Sequence, residues 1–254
     1  MSDEENTPQA PGIAAAWAQP EETEGAPRRR RGVGPDPMEQ LRNWTPKTRL
    51  GRMVQSGQII TIDQAFATGM PIREVEIVDA LIPGLEDDII NVNMIQRMTD
   101  SGRRVRFNVM ACVGNKDGYV GLSICKGKEV AATIHKAIIN AKLNIIQIQR
   151  GNGSWESGRG AGTSVPFKVT GRAGSTRITL LPAPTGKGLV IGDTGRQVLT
   201  LAGVTDVWSR SKGQTRTTIN FAKATFNALK QLNAHRVTQR DQDTLNIVKG
   251  RVIE

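Results

Sequence analysis

The sequence predicts an α+β protein, a β-β-β-α unit followed by a β-β-α-β-α unit. Three observations lead there. Gly114-Asn115-Lys116-Asp117-Gly118 is a turn signal between two apolar-rich stretches, and a stripe of helical period follows them. A glycine-rich, basic stretch then interrupts the pattern, from Arg150-Gly151-Asn152-Gly153 through Gly158-Arg159-Gly160-Ala161-Gly162. Beyond it, strand-like and helix-like segments resume. The 254 residues suffice for one or two domains at about 150 residues each.

Residues 1–40 are rich in Pro, Ala, Glu and Gly and show no apolar periodicity, which predicts a disordered N-terminal extension. It contains Arg28-Arg29-Arg30-Arg31, a run that reads either as a solvated tail or as an arm lying along phosphates. Residues 41–89 form a helical N-terminal segment. Within it Ile72, Val75, Ile77, Val78 and Leu81 recur at helical spacing until Pro83-Gly84 stops them. Glu74, Glu76, Asp79, Glu86, Asp87 and Asp88 outnumber Arg73 here, so this stretch is a poor nucleic-acid contact.

Residues 90–150 form the first unit. Strands are expected at 90–98, 104–113 and 119–125, and Asp100-Ser101-Gly102 is a second turn. A helix over roughly 128–143 carries the stripe Val130, Ala131, Ile134, Ala137, Ile138, Ala141. Residues 151–165 are read as a linker. The second unit, 166–235, reads as strands near 166–171 and 175–181, a helix near 191–201, a strand at 204–209 and a helix near 216–232. That last helix places Ile219, Ala222, Phe226 and Leu229 on one face. Residues 236–254 are a polar, charged tail.

Charge narrows the function. The chain carries 34 Lys and Arg against 24 Asp and Glu, a net +10. All 34 bases lie beyond residue 27 with 18 of the acids, so that part carries +16. Such a balance favours a polyanionic partner. No run of about 18 apolar residues exists to span a membrane. The acidic start MSDEENTPQAPG is not a secretory signal. The two cysteines exclude a disulfide scaffold and a Cys-rich zinc site. If the 114–118 turn centres on Lys116, Cys112 faces Val120 and Cys125 faces Phe107, out of reach of each other. They read as buried small hydrophobes. His135 and His235 have no Cys or carboxylate at metal-ligand spacing, so no metal or cofactor is expected.

Two nucleotide-binding readings fail. Thr185-Gly186-Lys187-Gly188 precedes a helix, but a P-loop needs Gly where Leu181 stands and Ser or Thr where Gly188 stands. What survives is a glycine turn with Lys187 near a helix N-terminus, able to attract phosphate without catalysis. An RNA-recognition motif needs exposed aromatics on central strands, and the first sheet offers only Phe107 and Tyr119.

Arginine placement is the strongest physical signal. Arg97, Arg103, Arg104 and Arg106 surround the turn at 100–102, Lys116 sits on the other turn, and Lys126 and Lys128 mark the helix start. Alternation puts Arg104 and Arg106 on one strand face and Arg103 on the other. A solvated charged edge is the plain reading. Bases converging from turns and a helix N-terminus on one side of a β-β-β-α unit suit double-stranded RNA, which is recognised through shape and phosphates.

Longer motifs carry a family resemblance. Residues 96–150, from Gln96-Arg97-Met98-Thr99-Asp100-Ser101-Gly102-Arg103-Arg104-Val105-Arg106-Phe107 through Gly118-Tyr119-Val120-Gly121-Leu122 to Ala141-Lys142-Leu143-Asn144-Ile145-Ile146, resemble the N-terminal domain of the small-subunit ribosomal protein S-five family. Val165-Pro166-Phe167-Lys168-Val169-Thr170-Gly171-Arg172, Leu181-Pro182-Ala183-Pro184-Thr185-Gly186-Lys187-Gly188 and Phe221-Ala222-Lys223-Ala224-Thr225-Phe226 resemble its C-terminal domain. The wording is nearest the archaeal and eukaryotic branch, and the resemblance covers about residues 41–235.

The resemblance implies a double-stranded-RNA-binding-like β-β-β-α domain and an S-five domain-two-like β-β-α-β-α domain with a left-handed crossover. It implies a non-catalytic constituent of the small ribosomal subunit that binds rRNA near the decoding centre and the path by which mRNA enters, and supports translational accuracy. Partners implied are small-subunit rRNA, ribosomal proteins of the S-four and S-eight families, and nearby mRNA. The loop 99–106 matches the family's RNA-facing hairpin, altered in some spectinomycin-resistant members. There Gly102 and Arg103 carry over, whereas the bacterial lysine is absent. Gly188 and Arg196 match positions on the S-four-facing surface. The candidate rRNA contacts are therefore Arg97, Gly102, Arg103, Arg104, Arg106, Lys116, Lys126, Lys128, Arg159 and Lys187. The competing readings are a free RNA chaperone or ribosome-maturation factor, and more distantly a phosphotransferase on a shared fold.

Overall fold

The computed structural model describes residues 44–157 and 162–251. The extension expected over 1–40 lies outside the described residues, as does Arg159.

Three short helices open the described chain. Helix α1 (Arg49–Gln55) starts where the Thr48 hydroxyl accepts from the Gly51 N–H. Helix α2 (Ile62–Ala67) starts on a capping box between Thr61 and Gln64. Helix α3 spans Val75–Leu81, three residues later than the apolar spacing suggested. The delay has a cause: Glu74 stays extended, and its carboxylate accepts from Trp44 Nε1 and the Lys47 N–H at 2.9 Å and the Thr48 N–H at 2.5 Å. Burial pushes the Glu74 carboxyl up, but these bonds pull harder and hold it below the ordinary carboxylate range. A lowered folded-state pKa contributes stability above the unfolded value, and that contribution is lost as pH falls through the folded one. Acid titration of Glu74→Gln should therefore show a shallower loss of stability than wild type, read by thermal melts between pH 6 and pH 3. Identical pH profiles would contradict this role.

The first sheet follows. Strand β1 (Glu86–Thr99), β2 (Gly102–Gly114), β3 (Tyr119–Gly127) and β4 (Ile145–Gln147) lie in the order β1-β2-β3-β4, all antiparallel. Helix α4 (Val130–Leu143) connects β3 to β4. Strand β1 is longer than expected because it takes in the acidic Glu86-Asp87-Asp88. A register shift between Ile89 and Asn91 accounts for its imperfect alternation. The β2–β3 turn corrects the expected pairing: Cys112 faces Leu122 and Cys125 faces Val109, because the pairing centres on Asp117 rather than Lys116. Both thiols are free and buried, and burial pushes Cys112 up to about 12.

Strand β5 (Gln149–Arg150) leads into the glycine-rich stretch. Its described part is packed: Gly151 bridges to Ser164, and Asn152 and Ser164 are buried. The second sheet contains β6 (Val169–Ala173), β7 (Thr176–Pro182), β8 (Leu189–Val190) and β9 (Val207–Lys212), ordered β6-β7-β9-β8. Strand β8 pairs in parallel with β9, and helix α5 (Asp193–Leu201) makes the crossover between them. Two residues are too few to show alternation, so β8 is invisible in the sequence pattern. Helix α6 (Thr218–Ala234) follows. Within the polar, charged tail lie helix α7 (Gln239–Leu245) and strand β10 (Val248–Lys249), which pairs with β5.

The layers follow from burial. Helix α4 covers one face of the first sheet through Val109, Ala111, Cys125 and Ala137. The other face, through Met110, Cys112, Val120 and Leu122, joins one core with Val198 and Leu199 of α5, Phe226 and Leu229 of α6, and Ile178 and Leu180 of β7. Helices α5 and α6 are thus sandwiched between the two sheets. Among the described residues, no helix lies over the outer face of the second sheet.

Candidate nucleic-acid interface

Strand β3 ends where Gly127 pairs with Phe107, yet β1 and β2 continue for five more cross-strand pairs, from Ile95–Arg106 to Thr99–Gly102. The result is a two-stranded arm projecting about 17 Å past its neighbour. Residues 92–98 and 102–106 are exposed on both faces. The tip closes through Gly102, whose φ of 115° suits glycine.

Register sorts the side chains. Arg97 lies directly opposite Arg104, and Ile95 opposite Arg106. Asn93 pairs with Asn108, which pairs with Lys126 on the other side. Arg97, Arg104, Arg106 and Lys126 therefore share one face, with Asn93 and Asn108 between them. Like charges directly opposite on a sheet are destabilising, so the Arg97–Arg104 pair is a standing cost that an anion would relieve. None of these four bases forms an ion pair among the described residues. The opposite face holds Arg103 beside Met98, with Met94 further down. Met94 and Met98 are 62% and 74% exposed.

The remaining expected contacts are distributed less compactly. Lys128 lies between β3 and α4, at the arm's root. Lys116 lies apart from the other expected contacts: the turn it occupies is at the far end of the 13-residue strand β2, about 40 Å from the arm tip. Its ammonium pairs with Glu86 Oε2 at 2.5 Å, so it does not converge with the arginines. Lys116→Ala should leave the salt dependence of RNA binding unchanged, as measured by filter binding. A drop of one slope unit would return it to the interface.

Lys187 is exposed on the β7–β8 loop of the other sheet, away from the arm. Its neighbour Gly188 is pinned by an N–H bond to buried Asp206 Oδ1 at 2.8 Å. Arg196 is exposed in the first turn of α5. Sequence reasoning missed the exposed bases of the second sheet, Arg172, Arg177, Arg210 and Lys212, which are scattered along the chain and meet only through strand pairing.

Among the described residues, no group of three or more His, Cys, Asp or Glu is placed to hold a metal ion. No described helix is long and apolar enough to cross a membrane.

Comparison with known proteins decides the family. The family model "Ribosomal protein S5, N-terminal domain" matches residues 85–149, the span from the base of β1 to β5. "Ribosomal protein S5, C-terminal domain" matches residues 171–242, from β6 into α7. The chain belongs to the ribosomal protein S5 family. Among its S5 relatives is the small ribosomal subunit protein uS5 of Methanothermobacter thermautotrophicus, 52% identical over 207 residues, covering 82% of this chain and 96% of the relative. The uS5 of Methanospirillum hungatei is 56% identical over 194 residues, 76% of this chain and 95% of the relative. That of Halobacterium salinarum is 52% identical over 206 residues, 81% and 97%. All are archaeal, in keeping with the branch the motifs indicated. The S5 domains also account for the mixed α+β architecture, the first carrying the arm and the second the parallel β8–β9 pair.

Proposed function

We propose that the chain is a structural, non-catalytic constituent of the small ribosomal subunit and holds rRNA through the β1–β2 arm. The observation that carries this is the register that sets Arg97, Arg104, Arg106 and Lys126 on one face of a projecting ribbon. Such a face supplies phosphate contacts without base readout, which suits structured RNA recognised by its backbone. Arg103, Gly102 and Lys128 extend the contact around the tip and root, and Lys187 adds a contact elsewhere on the RNA. Gly188 and Arg196 face a protein neighbour of the S-four family, an S-eight protein is a further neighbour, and mRNA passes nearby. The ribosomal protein families supply no enzyme precedent, and the chain acts by binding and positioning RNA for accurate decoding.

Two measurements test the reading. A constituent stays with small subunits through a high-salt sucrose gradient, whereas a free chaperone or maturation factor washes off. Arg103→Ala should lower affinity for a small-subunit rRNA fragment equally across sequences and reduce the salt slope by about one unit. An unchanged slope would remove Arg103 from the interface.

A further inference from the structure

The outer face of the second sheet brings together residues from three strands that no contact within the described chain explains. Strand pairing aligns Arg172 with Arg177 and Arg177 with Lys212, a row of three cations across β6, β7 and β9. Next to it Thr179 is aligned with Thr170 on one side and Arg210 on the other, and the two threonine hydroxyls are 3.1 Å apart. In the third row Trp208 lies between Leu181 and Val190. All four bases are exposed, and none forms an ion pair among the described residues. Among the described residues, Arg172 alone of the four has a side-chain hydrogen bond, from Nε to the Gly174 carbonyl at 3.0 Å. Trp208 is 37% exposed and Val190 50%.

This combination is physically unfavourable without a ligand. Like charges directly opposite on a sheet repel, and three abreast repel twice. Between residues 162 and 235 the only acids are Asp193 and Asp206, and Asp206 is buried and occupied by the Gly188 N–H. A polyanion is the complement. The tryptophan narrows its kind: an exposed indole offers a flat π-surface on which an unpaired base stacks, and a duplex has no free base to offer. Same-face residues on a strand recur about every 7 Å, so Trp208, Arg210 and Lys212 form a track along β9.

We propose that this face binds a single-stranded RNA segment, with a base stacked on Trp208 and the backbone running over Arg210, Lys212, Arg177 and Arg172. It is a separate surface from the arm, and it takes a different form of RNA.

The test uses the full chain and two labelled probes at 0.15 M salt, a twelve-nucleotide oligouridine and an RNA hairpin with a long perfect stem. Trp208→Ala should weaken oligouridine binding about 5- to 150-fold, the range expected for one stacked base, and leave hairpin affinity unchanged. Trp208→Phe should recover most of the loss. The Arg177→Ala, Lys212→Ala pair should lower the oligouridine salt slope by about 1.4 units. Arg104→Ala should do the reverse, weakening the hairpin and sparing oligouridine. Far-UV circular dichroism checks that each variant is folded. Oligouridine affinity unchanged in both sheet variants overturns the proposal, as does equal weakening of both probes. If the sheet variants keep RNA affinity but fail to enter small subunits, the face meets an acidic protein instead, and the proposal is likewise overturned.

Discussion

The Arg97→Ala, Arg104→Ala double variant is expected to bind small-subunit rRNA about 30-fold more weakly at 0.15 M salt than wild type. Each phosphate neutralised on a duplex contributes a slope of about 0.9 in log affinity against log salt. At 0.15 M that amounts to roughly a fivefold change per contact, and two contacts multiply. The salt slope should fall by about 1.8, and base preference should not change. Folding stability should hold or rise slightly, because the variant removes two like charges from directly opposite positions on an exposed ribbon. That combination, weaker binding with undiminished stability, separates a ligand-facing pair from a structural one. Equal affinity in the variant and the wild type would displace the interface from the arm.

Arg150→Met is expected to give the largest loss of stability. Arg150 Nη2 donates to Asp117 Oδ1 at 2.5 Å and to the Gly250 carbonyl at 3.0 Å, while Nη1 donates to the Gly203 carbonyl at 3.3 Å. One guanidinium thereby ties together the β2–β3 turn, the loop after α5 and the C-terminal segment. Its side chain is 7% exposed, against 31% for Asp117. Removing one partner of a buried pair costs about 3–5 kcal/mol, and the lower end applies because Asp117 keeps contact with water. The melting temperature should fall by about 6–12 °C. Lys116→Ala, in the same turn, removes an exposed ion pair and should cost under about 1 kcal/mol. Equal melting temperatures for the two variants would contradict this ranking. At 25 °C the Arg150 variant should still bind RNA, since the arm tip lies at the opposite end of the first sheet.

The junction around Arg150 shows why its importance is hidden in the sequence. Arg150 stands at the edge of a glycine-rich run and reads as one more linker base. Its partners come from 33, 53 and 100 residues away. Gly203 is similar: with φ at +77° and the Lys116 carbonyl 2.1 Å from where a Cβ would sit, it permits the turn to dock on the α5 loop. Neither fact has a local signature. By contrast, Pro83-Gly84 did end a helix, and the apolar positions of α6 were legible because one face of a long helix is buried. The parity of the first sheet survived too. The expected β2–β3 pairing was displaced by two residues, and a shift of two leaves every side chain on its own face.

The sequence by itself determined the separation of an acidic start from a basic body, the positions of the turns and main helices, and motifs long enough to indicate the family. These are local properties, carried by residues close together in the chain. Tertiary structure alone decided which bases lie together. It placed Arg97 opposite Arg104, brought Lys126 onto their face and sent Lys116 to the far end of the sheet. It also aligned Arg172, Arg177 and Lys212 from three strands. The reason is physical. Alternation within a strand is set by backbone geometry, whereas the partner across the ladder depends on turn length, bulges and where each neighbouring strand stops.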